Sequence, residues 1–324
     1  MSHPFDRLTP DRILDAIDAR GLLPSGHVIA LNSYENRVYQ LGIEDEPPLI
    51  AKFYRPDRWS DETILEEHHF SLELAQQEIP VIPPLILERT TLFRYDGFRF
   101  ALFERRGGRA PDPGDLGQLA WIGRLMGRIH AVGQAGRFQH RPQIDPLHYG
   151  QQARETVLAS LLLPEEHRNR YERLSGQLLE QAQQRFETVR PEPIRIHGDC
   201  HLGNILWSDD GPHFVDLDDC ATGPAVQDLW MLLNGDQESV RAQLHALLDG
   251  YRVFCDFNLS QLSLIEPLRG LRLLQHTAWL AHRWDDPAFP RAFPWFGEPG
   301  YWANHLRDLE DQLQAILEAP ELSL

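Results

Sequence analysis

The residues best suited to chemistry lie in a short polar loop and at the end of the next hydrophobic segment. The loop reads H-G-D-C-H-L-G-N over residues 197–204, and the segment reads F-V-D over residues 214–216. Asp199 and Asp216 offer carboxylates, and Asn204 offers an amide oxygen. Oxygen ligands of this kind suit a hard divalent cation, Mg²⁺ above all.

The spacing of these three residues predicts transfer of a phosphoryl group from ATP. That reaction needs in-line positioning, metal to neutralise phosphate charge, and an acceptor for the hydroxyl proton. Asp199 suits the role of proton acceptor, and Asn204 and Asp216 suit the role of magnesium ligands. Two other interpretations stand beside it: Asp199 and Asn204 as caps of turns, and a zinc site made of His197, Cys200 and His201.

Short strands on either side of the loop are expected to hold these groups in place. Residues 194–196 and 205–207 read as strands, residues 208–212 as a hairpin turn, and residues 213–215 as the returning strand. Such a ribbon would bring Asp199, Asn204 and Asp216 to one end of the structure.

Lys52 is the only lysine in the chain and lies in the apolar segment 49–54. Kinase-type enzymes use such a lysine to contact the α- and β-phosphates, and a glutamate on the next helix to hold it. Residues 61–75 have helical periodicity and contain Glu66 and Glu67. In related kinases this glutamate precedes such a turn by a fixed distance, and measured back from residues 79–81 Glu67 fits better than Glu66. The alternative is an outward-facing lysine of an ordinary strand.

Other nucleotide-contacting residues are expected on the turns of the same region. Segments 28–31, 38–41 and 49–54 read as strands, with Pro47 and Pro48 in the turn before the third. The turn between the first two contains no glycine, so Ser33 and Asn36 are the candidates for phosphate contacts. A hairpin over residues 92–103 leads to Glu104 and Arg106, whose backbone is expected to bind adenine.

From about residue 115 the pattern becomes mostly helical. A broad apolar face over residues 116–129 ends at His130, which we interpret as a hydrogen-bonded core histidine. Asp228 lies at the start of a later helix. It is expected either to hold the backbone of the catalytic loop or to be an ordinary carboxylate at a helix N-terminus. The aromatic cluster over residues 279–302 is expected to form core or interface, with a substrate-binding wall as the alternative.

Composition narrows the classes of function. A net charge of −17 argues against a general binder of nucleic acid or anionic membranes. No apolar run is long enough to cross a bilayer, and no signal peptide opens the chain. Three cysteines are too few for a disulfide framework, so a cytoplasmic location is expected; Cys200 and Cys220 are either inert or sites of inhibitory oxidation.

The loop resembles the H-G-D-x-x-x-x-N form of aminoglycoside phosphotransferases and choline kinases. A closer similarity, to the bacterial stress response kinase A family of the RdoA type, is found in four longer stretches. They are residues 31–40, 52–56 and 215–235, and W-D-D-P-A-F-P-R-A-F-P-W over residues 284–295. The resemblance spans nearly the whole chain. It implies a monomeric, cytoplasmic, Mg²⁺-dependent Ser/Thr protein kinase tied to envelope and oxidative stress responses. Its expected acceptors are proteins, and whether the enzyme itself is one of them is left open by the sequence.

The resemblance also implies an α+β, bilobal, protein kinase-like fold. The expected domains are an N-lobe of sheet plus helix over residues 1–104 and a larger, mostly helical C-lobe over residues 105–324. Ser33 would belong to the ATP site, and His197 and Asp228 would support the loop. The residues alone leave two alternatives open: a small-molecule kinase acting on an amino alcohol, sugar or aminoglycoside, and a catalytically silent nucleotide-binding regulator.

Overall fold

The computed structural model describes residues 5–318 and divides into two compact units. The sheet unit contains the described residues up to Pro111, residues 139–141 and residues 202–218. The helical unit contains residues 112–138, 142–201 and the described residues from Asp219 onward. The sheet unit combines an antiparallel sheet with two helices, and the other unit is mostly helical, which confirms the predicted α+β class. The domain boundary at residue 104 stays a prediction, because the compact units are discontinuous in sequence.

The sheet unit is built on an antiparallel sheet of five strands in the order β1-β2-β3-β5-β4. A separate hairpin, β7-β8, belongs to the same unit, and β6 pairs with β9 in the helical unit. The strand bounds are β1 Pro24–Ala30, β2 Arg37–Ile43, β3 Glu46–Phe53, β4 Phe93–Tyr95, β5 Phe98–Glu104, β6 Ile194–Ile196, β7 Ile205–Ser208, β8 Gly211–Phe214 and β9 Ala221–Gly223.

The prolines at positions 47 and 48 lie inside strand β3, so their predicted place in a turn was wrong. The turn lies before them, with Asp45 at a positive φ of 59°. The pairing of β2 with β3 shifts between Leu41 and Ile43, opposite the two prolines. A proline lacks the N–H that a regular ladder needs, and this irregularity accommodates it inside the sheet.

Local signals place the two helices of the sheet unit. Helix α1 (Pro10–Asp18) starts with Thr9, whose side chain accepts from Arg12 N, and has proline in its first turn. Helix α2 (Asp61–Gln76) starts with Ser60, whose side chain accepts from Thr63 N. These bounds confirm the predicted helices and place both candidate glutamates in the first half of α2.

The β7-β8 hairpin is the part of the later chain that joins the sheet unit. Val81 forms a parallel bridge with Phe214, and Arg109 forms an antiparallel bridge with Trp207. Phe214 is fully buried, which fixes the hairpin against the unit. The residues that directly follow β8, including Asp216, therefore lie in the sheet unit.

The helical unit is dominated by long helices. Its α-helices are α3 Leu116–Gln134, α4 Gln152–Ala159, α5 Glu165–Val189, α6 Val226–Trp230, α7 Gln237–Tyr251, α8 Ile265–Arg283, α9 Ala288–Ala292 and α10 Tyr301–Glu318, and a π-helix covers Pro146–Gln151. Buried apolar side chains such as Leu178, Leu271 and Leu306 form its core. Burial of these faces supplies most of the driving force for the unit.

Helices α3 and α7 approach so closely that glycine is required at their contact. A Cβ built on Gly123 would collide with the backbone oxygen of Leu247, and one on Gly250 with that of Ala120. The close approach matters for the loop, because α3 carries His130 and α7 carries Tyr251, whose hydroxyl lies 2.9 Å from His130 Nδ1.

We expect Gly123→Ala to lower the free energy of unfolding by about 1–3 kcal/mol, because the added methyl forces two packed backbones apart. Urea unfolding followed by circular dichroism measures the change. Gly176→Ala is the matched control: it also lies inside a helix, but a Cβ there meets only the end of a flexible arginine at 3.8 Å. The control should be neutral or stabilising by up to about 1 kcal/mol. Equal losses in both variants would contradict the close-packing argument.

Candidate active site

Lys52 forms the centre of a buried group of charges in the sheet unit. Its Nζ lies 3.4 Å from Glu67 Oε1, 3.2 Å from Asp216 Oδ1 and 3.1 Å from Asp218 Oδ1. Burial opposes the positive charge, but the carboxylates of Asp218, Glu67 and Asp216 outweigh it and raise the pKa of Lys52 well above its usual value. Lys52 is therefore a fixed cation, and the interpretation as an outward-facing lysine was wrong.

Glu67, rather than Glu66, pairs with Lys52, as the sequence spacing favoured. Glu67 is buried, and its pKa rises to about 7 because burial outweighs the attraction of Lys52. The pKa of Asp218 is instead lowered, because Arg58, Lys52 and Arg141 outweigh its burial. Of these two partners of Lys52, Asp218 is the one that gives up its proton more readily.

Glu66 has a different function, which the sequence did not indicate. Its carboxylate accepts from the backbone N–H groups of Gln139 (2.7 Å), His140 (2.7 Å) and Arg141 (3.0 Å). Thr63, one turn earlier, donates its hydroxyl to His140 O at 3.3 Å. Residues 139–141 are therefore bound along helix α2, next to the residue that pairs with Lys52.

Asp218 was not singled out from the sequence, yet it has several partners besides Lys52. It bonds Arg58 through Oδ2, accepts from Asn36 Nδ2 at 3.1 Å, and its backbone oxygen accepts from Arg141. Asp218 is only 4% exposed, so its negative charge needs these partners. The alternation of acidic and apolar residues over 215–219 was the available signal.

Asp216 and Asn204 lie at the open end of the β7-β8 hairpin. Val215 N donates to Asn204 O at 3.0 Å. This hydrogen bond joins the chain just before β7 to the chain just after β8, next to Asp216. Asp216 adopts the left-handed conformation (φ 59°), and its side chain is 58% exposed. A strained, exposed carboxylate beside an amide fits a magnesium site that is completed by phosphate oxygens and water.

Within residues 5–318, no group of three or more His, Cys, Asp and Glu side chains is arranged to hold a metal ion. This finding gives no support to the zinc interpretation, and Cys200 is fully buried with its Sγ 3.7 Å from Met126 Sδ. Burial raises the pKa of the Cys200 thiol well above its usual value. A thiol of this kind is poorly reactive, which favours the inert interpretation over regulatory oxidation.

In the helical unit, Asp228 holds the backbone at the start of the polar loop. Its carboxylate accepts from His197 N and from Gly198 N, both at 2.8 Å. His130 Nε2 lies 3.0 Å from Asp228 Oδ2. Asp228 is completely buried, so it is a scaffold of the loop, and His130 is the hydrogen-bonded core histidine that the sequence predicted.

Gly198 cannot be replaced without changing the loop. Its φ is 85°, in the left-handed region, and a Cβ there would collide with the backbone oxygen of Asp219. The next residue, Asp199, lies 2.8 Å from the guanidinium of Arg272 through Oδ1 and 3.6 Å from His201 Nε2 through Oδ2. The pairing with Arg272 was not predicted, because that residue lies far along the chain in α8.

The remaining nucleotide-site candidates are only partly available for contacts. Ser33 Oγ donates to Asn36 O at 3.1 Å and is half-buried. Both ends of the Asn36 amide are used, since Oδ1 accepts from Arg55 N at 3.1 Å. Glu104 and Arg106 form an exposed ion pair at 3.3 Å just after β5, which leaves their predicted backbone role untested.

The aromatic cluster of the C-terminal region belongs mainly to the core of the helical unit. Phe289, Phe296 and Trp302 are buried, as expected for a core cluster. Trp295 is 40% exposed and stacks on His276 with the ring centroids 6.1 Å apart. A surface role is therefore confined to the edge of the cluster around Trp295.

No helix among the described residues is long and apolar enough to span a membrane.

A comparison with protein-family models agrees with this site. The model of the phosphotransferase enzyme family matches residues 27–265. The region covers Lys52, the loop from His197 to Asn204, Asp216 and Asp228. A kinase-type phosphotransferase is thus the class of protein that the fold and the match define.

Curated relatives identify the group more closely. Stress response kinase A of Escherichia coli (strain K12) is 42% identical over 319 residues, covering 98% of this chain and 96% of the relative. Serine/threonine protein kinase RdoA of Salmonella typhimurium is 41% identical over 316 residues, with the same coverage. The chain belongs to the phosphotransferase enzyme family and, within it, to the stress response kinase A group.

Solved structures share the fold. An amicoumacin kinase in complex with AMP-PNP, Ca²⁺ and Ami superposes with a TM-score of 0.71 at 18% identity, over 93% of this chain and 94% of that one. A microcompartment-associated aminopropanol kinase superposes with a TM-score of 0.69 at 19% identity, over 94% of this chain and 98% of that one. At these identities the likeness establishes the kinase-like fold.

We expect Glu66→Ala to lower the free energy of unfolding by about 1–3 kcal/mol, because three backbone N–H groups lose a charged acceptor. Chemical denaturation measures it, and amide hydrogen exchange should be faster at residues 139–141. His69→Ala is the matched control, since His69 is exposed on the same helix. Unchanged exchange at residues 139–141 would contradict the role assigned to Glu66.

Proposed function

We propose that this chain is an ATP- and Mg²⁺-dependent serine/threonine protein kinase of the bacterial stress response. The observation that carries the proposal is the 41% identity, over 98% of the chain, with a relative named as a serine/threonine protein kinase. The buried Lys52–Glu67 pair and the loop held by Asp228 support the phosphotransfer chemistry. They also weigh against a catalytically silent regulator, because such a protein does not need a complete set of phosphate-binding, metal-binding and proton-accepting side chains.

Each residue of the proposed site has one task. Lys52 contacts the α- and β-phosphates, and Glu67 with Asp218 fixes its position. Asp199 accepts the proton of the attacking hydroxyl group while that oxygen forms its bond to the γ-phosphorus and the bond to the β-γ bridging oxygen breaks. Ser33 and the backbone from Glu104 to Arg106 bind the phosphates and the adenine. Asn36 acts indirectly, through its hydrogen bond to Asp218.

Asn204 and Asp216 would hold Mg²⁺ in this proposal. When bound, the metal neutralises the charge that develops on the phosphate oxygens. Lys52 lies 3.2 Å from Asp216 Oδ1 and keeps that carboxylate oriented. The amide of Asn204 adds an oxygen ligand without a further negative charge.

The proposed acceptor is a serine or threonine hydroxyl of a protein, the enzyme itself included. We further propose a monomer in the cytoplasm that binds neither nucleic acid nor membranes, in accord with its net charge of −17. A hydroxyl of an amino alcohol, sugar or aminoglycoside is the alternative acceptor. The chemistry at Asp199 is the same for both, so the acceptor has to be tested directly.

We expect Asp199→Asn to fold normally and to lose about 10²–10⁴ in the rate of phosphate transfer, because the amide cannot accept the proton. Transfer from labelled ATP with Mg²⁺ is measured in two tubes. One contains the enzyme with a generic basic protein, and the other adds a panel of small alcohols and aminoglycosides. Asp209→Asn, in the exposed turn of the β7-β8 hairpin, is the matched control and should keep full activity.

Label on protein serine or threonine that disappears with Asp199→Asn supports the proposal. Label only on a small molecule would replace the protein-kinase assignment by a metabolite or antibiotic kinase. Full transfer by Asp199→Asn would remove this residue from the mechanism.

Asp216→Ala should abolish transfer even at saturating Mg²⁺, because the metal then loses its only negatively charged ligand in the proposed set. The rate is measured across a titration of Mg²⁺, with nucleotide binding followed separately by fluorescence. Recovery at high Mg²⁺ would show that Asp216 only tunes metal affinity. Asp210→Asn, also exposed in the hairpin turn, serves as the control.

A further inference from the structure

The proposed proton acceptor has a cationic partner that its own loop does not provide. The four residues between Asp199 and Asn204 include no lysine and no arginine. Arg272, from helix α8, instead places its guanidinium 2.8 Å from Asp199 Oδ1. A guanidinium keeps its proton at any physiological pH, so this contact is an ion pair whose cation stays charged.

Arg272 projects from a well-anchored turn of α8, and its own side chain is 37% exposed. Its neighbours Leu271 and Leu274 on α8 are fully buried, so this turn of the helix is anchored in the core. Tyr149, in the π-helix, forms a side-chain hydrogen bond with Arg272. Burial raises the pKa of Tyr149 to about 12, so its phenol stays neutral and does not compete as a charge for Arg272.

We propose that Arg272 is a positioning residue for phosphate transfer: it binds Asp199 Oδ1 and so directs Oδ2, which lies 3.6 Å from His201 Nε2, to the hydroxyl of the acceptor. This role rests on the proposed function. A general base is effective only if its oxygen meets the hydroxyl at hydrogen-bonding distance and in the right direction. A carboxylate on a loop would otherwise rotate, and the fixed guanidinium of α8 selects one orientation.

This arrangement predicts how the kinetic constants change when Arg272 is removed. Arg272 acts through Asp199, so its removal lowers kcat, by about 10²-fold at most, the cost of a misplaced catalytic group. The KM for ATP stays nearly constant, because Lys52 and the other proposed nucleotide contacts are unchanged. In an Asp199→Asn background, the same substitution has no further effect, since the two residues act as one unit.

The test compares Arg272→Ala, Arg272→Lys, Asp199→Asn and the double variant in steady-state transfer from ATP. Arg269→Ala is the matched control: Arg269 lies on the same helix but pairs with Glu266 at 2.7 Å. We expect a large loss of kcat in Arg272→Ala, partial activity in Arg272→Lys, and no loss in the control. Added guanidinium at millimolar concentration should restore part of the activity of Arg272→Ala and none of that of Asp199→Asn.

Any of three results would overturn the role of Arg272. They are an unchanged kcat in Arg272→Ala, an equal loss of kcat when Arg272→Ala is added to the wild type and to Asp199→Asn, and a failure of guanidinium to restore activity. In those cases the loss of activity in Asp199→Asn still stands, and the proposed function with it. Activity that survives Asp199→Asn, or a wild type that transfers phosphate to no acceptor, would overturn the proposed function together with this inference. Thermal unfolding of each variant separates all these outcomes from simple misfolding.

Discussion

The sheet unit depends on one constraint, the need to neutralise a single buried lysine. Lys52 is 6% exposed and meets three carboxylates that come from helix α2 and from the end of the β7-β8 hairpin. A buried ammonium is tolerated only when it is paired, so these distant segments must converge on strand β3. Burial raises the pKa of Glu67 to about 7, whereas Arg58, Lys52 and Arg141 lower that of Asp218.

The helical unit satisfies a comparable constraint with the opposite charge. Asp228 is a completely buried carboxylate, and its partners are two backbone N–H groups of the loop and the ring of His130. The loop therefore owes its shape to a group that takes no part in the chemistry. In both units the buried charge organises the backbone, and the residues proposed for the reaction are carried by it.

The parts of this site that rest on local pattern were predictable, and the parts that rest on distant contacts were not. Lys52 and its pairing with Glu67 followed from an apolar strand and from the position of a turn. The three amide partners of Glu66, the partners of Asp218 and the approach of Arg272 to Asp199 join residues far apart in the chain. No periodicity or spacing encodes such contacts. The prolines at 47 and 48 misled for a related reason, since an irregular sheet pairing absorbs them.

The discontinuous sheet unit has a consequence for how the protein is made on the ribosome. All five strands of the main sheet lie within the first 111 residues, but two of the three carboxylates that neutralise Lys52 come at positions 216 and 218. A nascent chain therefore exposes the sheet long before its central charge can be balanced. The first 111 residues contain the whole main sheet but only one of the three carboxylates that neutralise Lys52. The group of charges proposed to contact the phosphates is therefore complete only once residue 218 has been added, about two-thirds of the way along the chain.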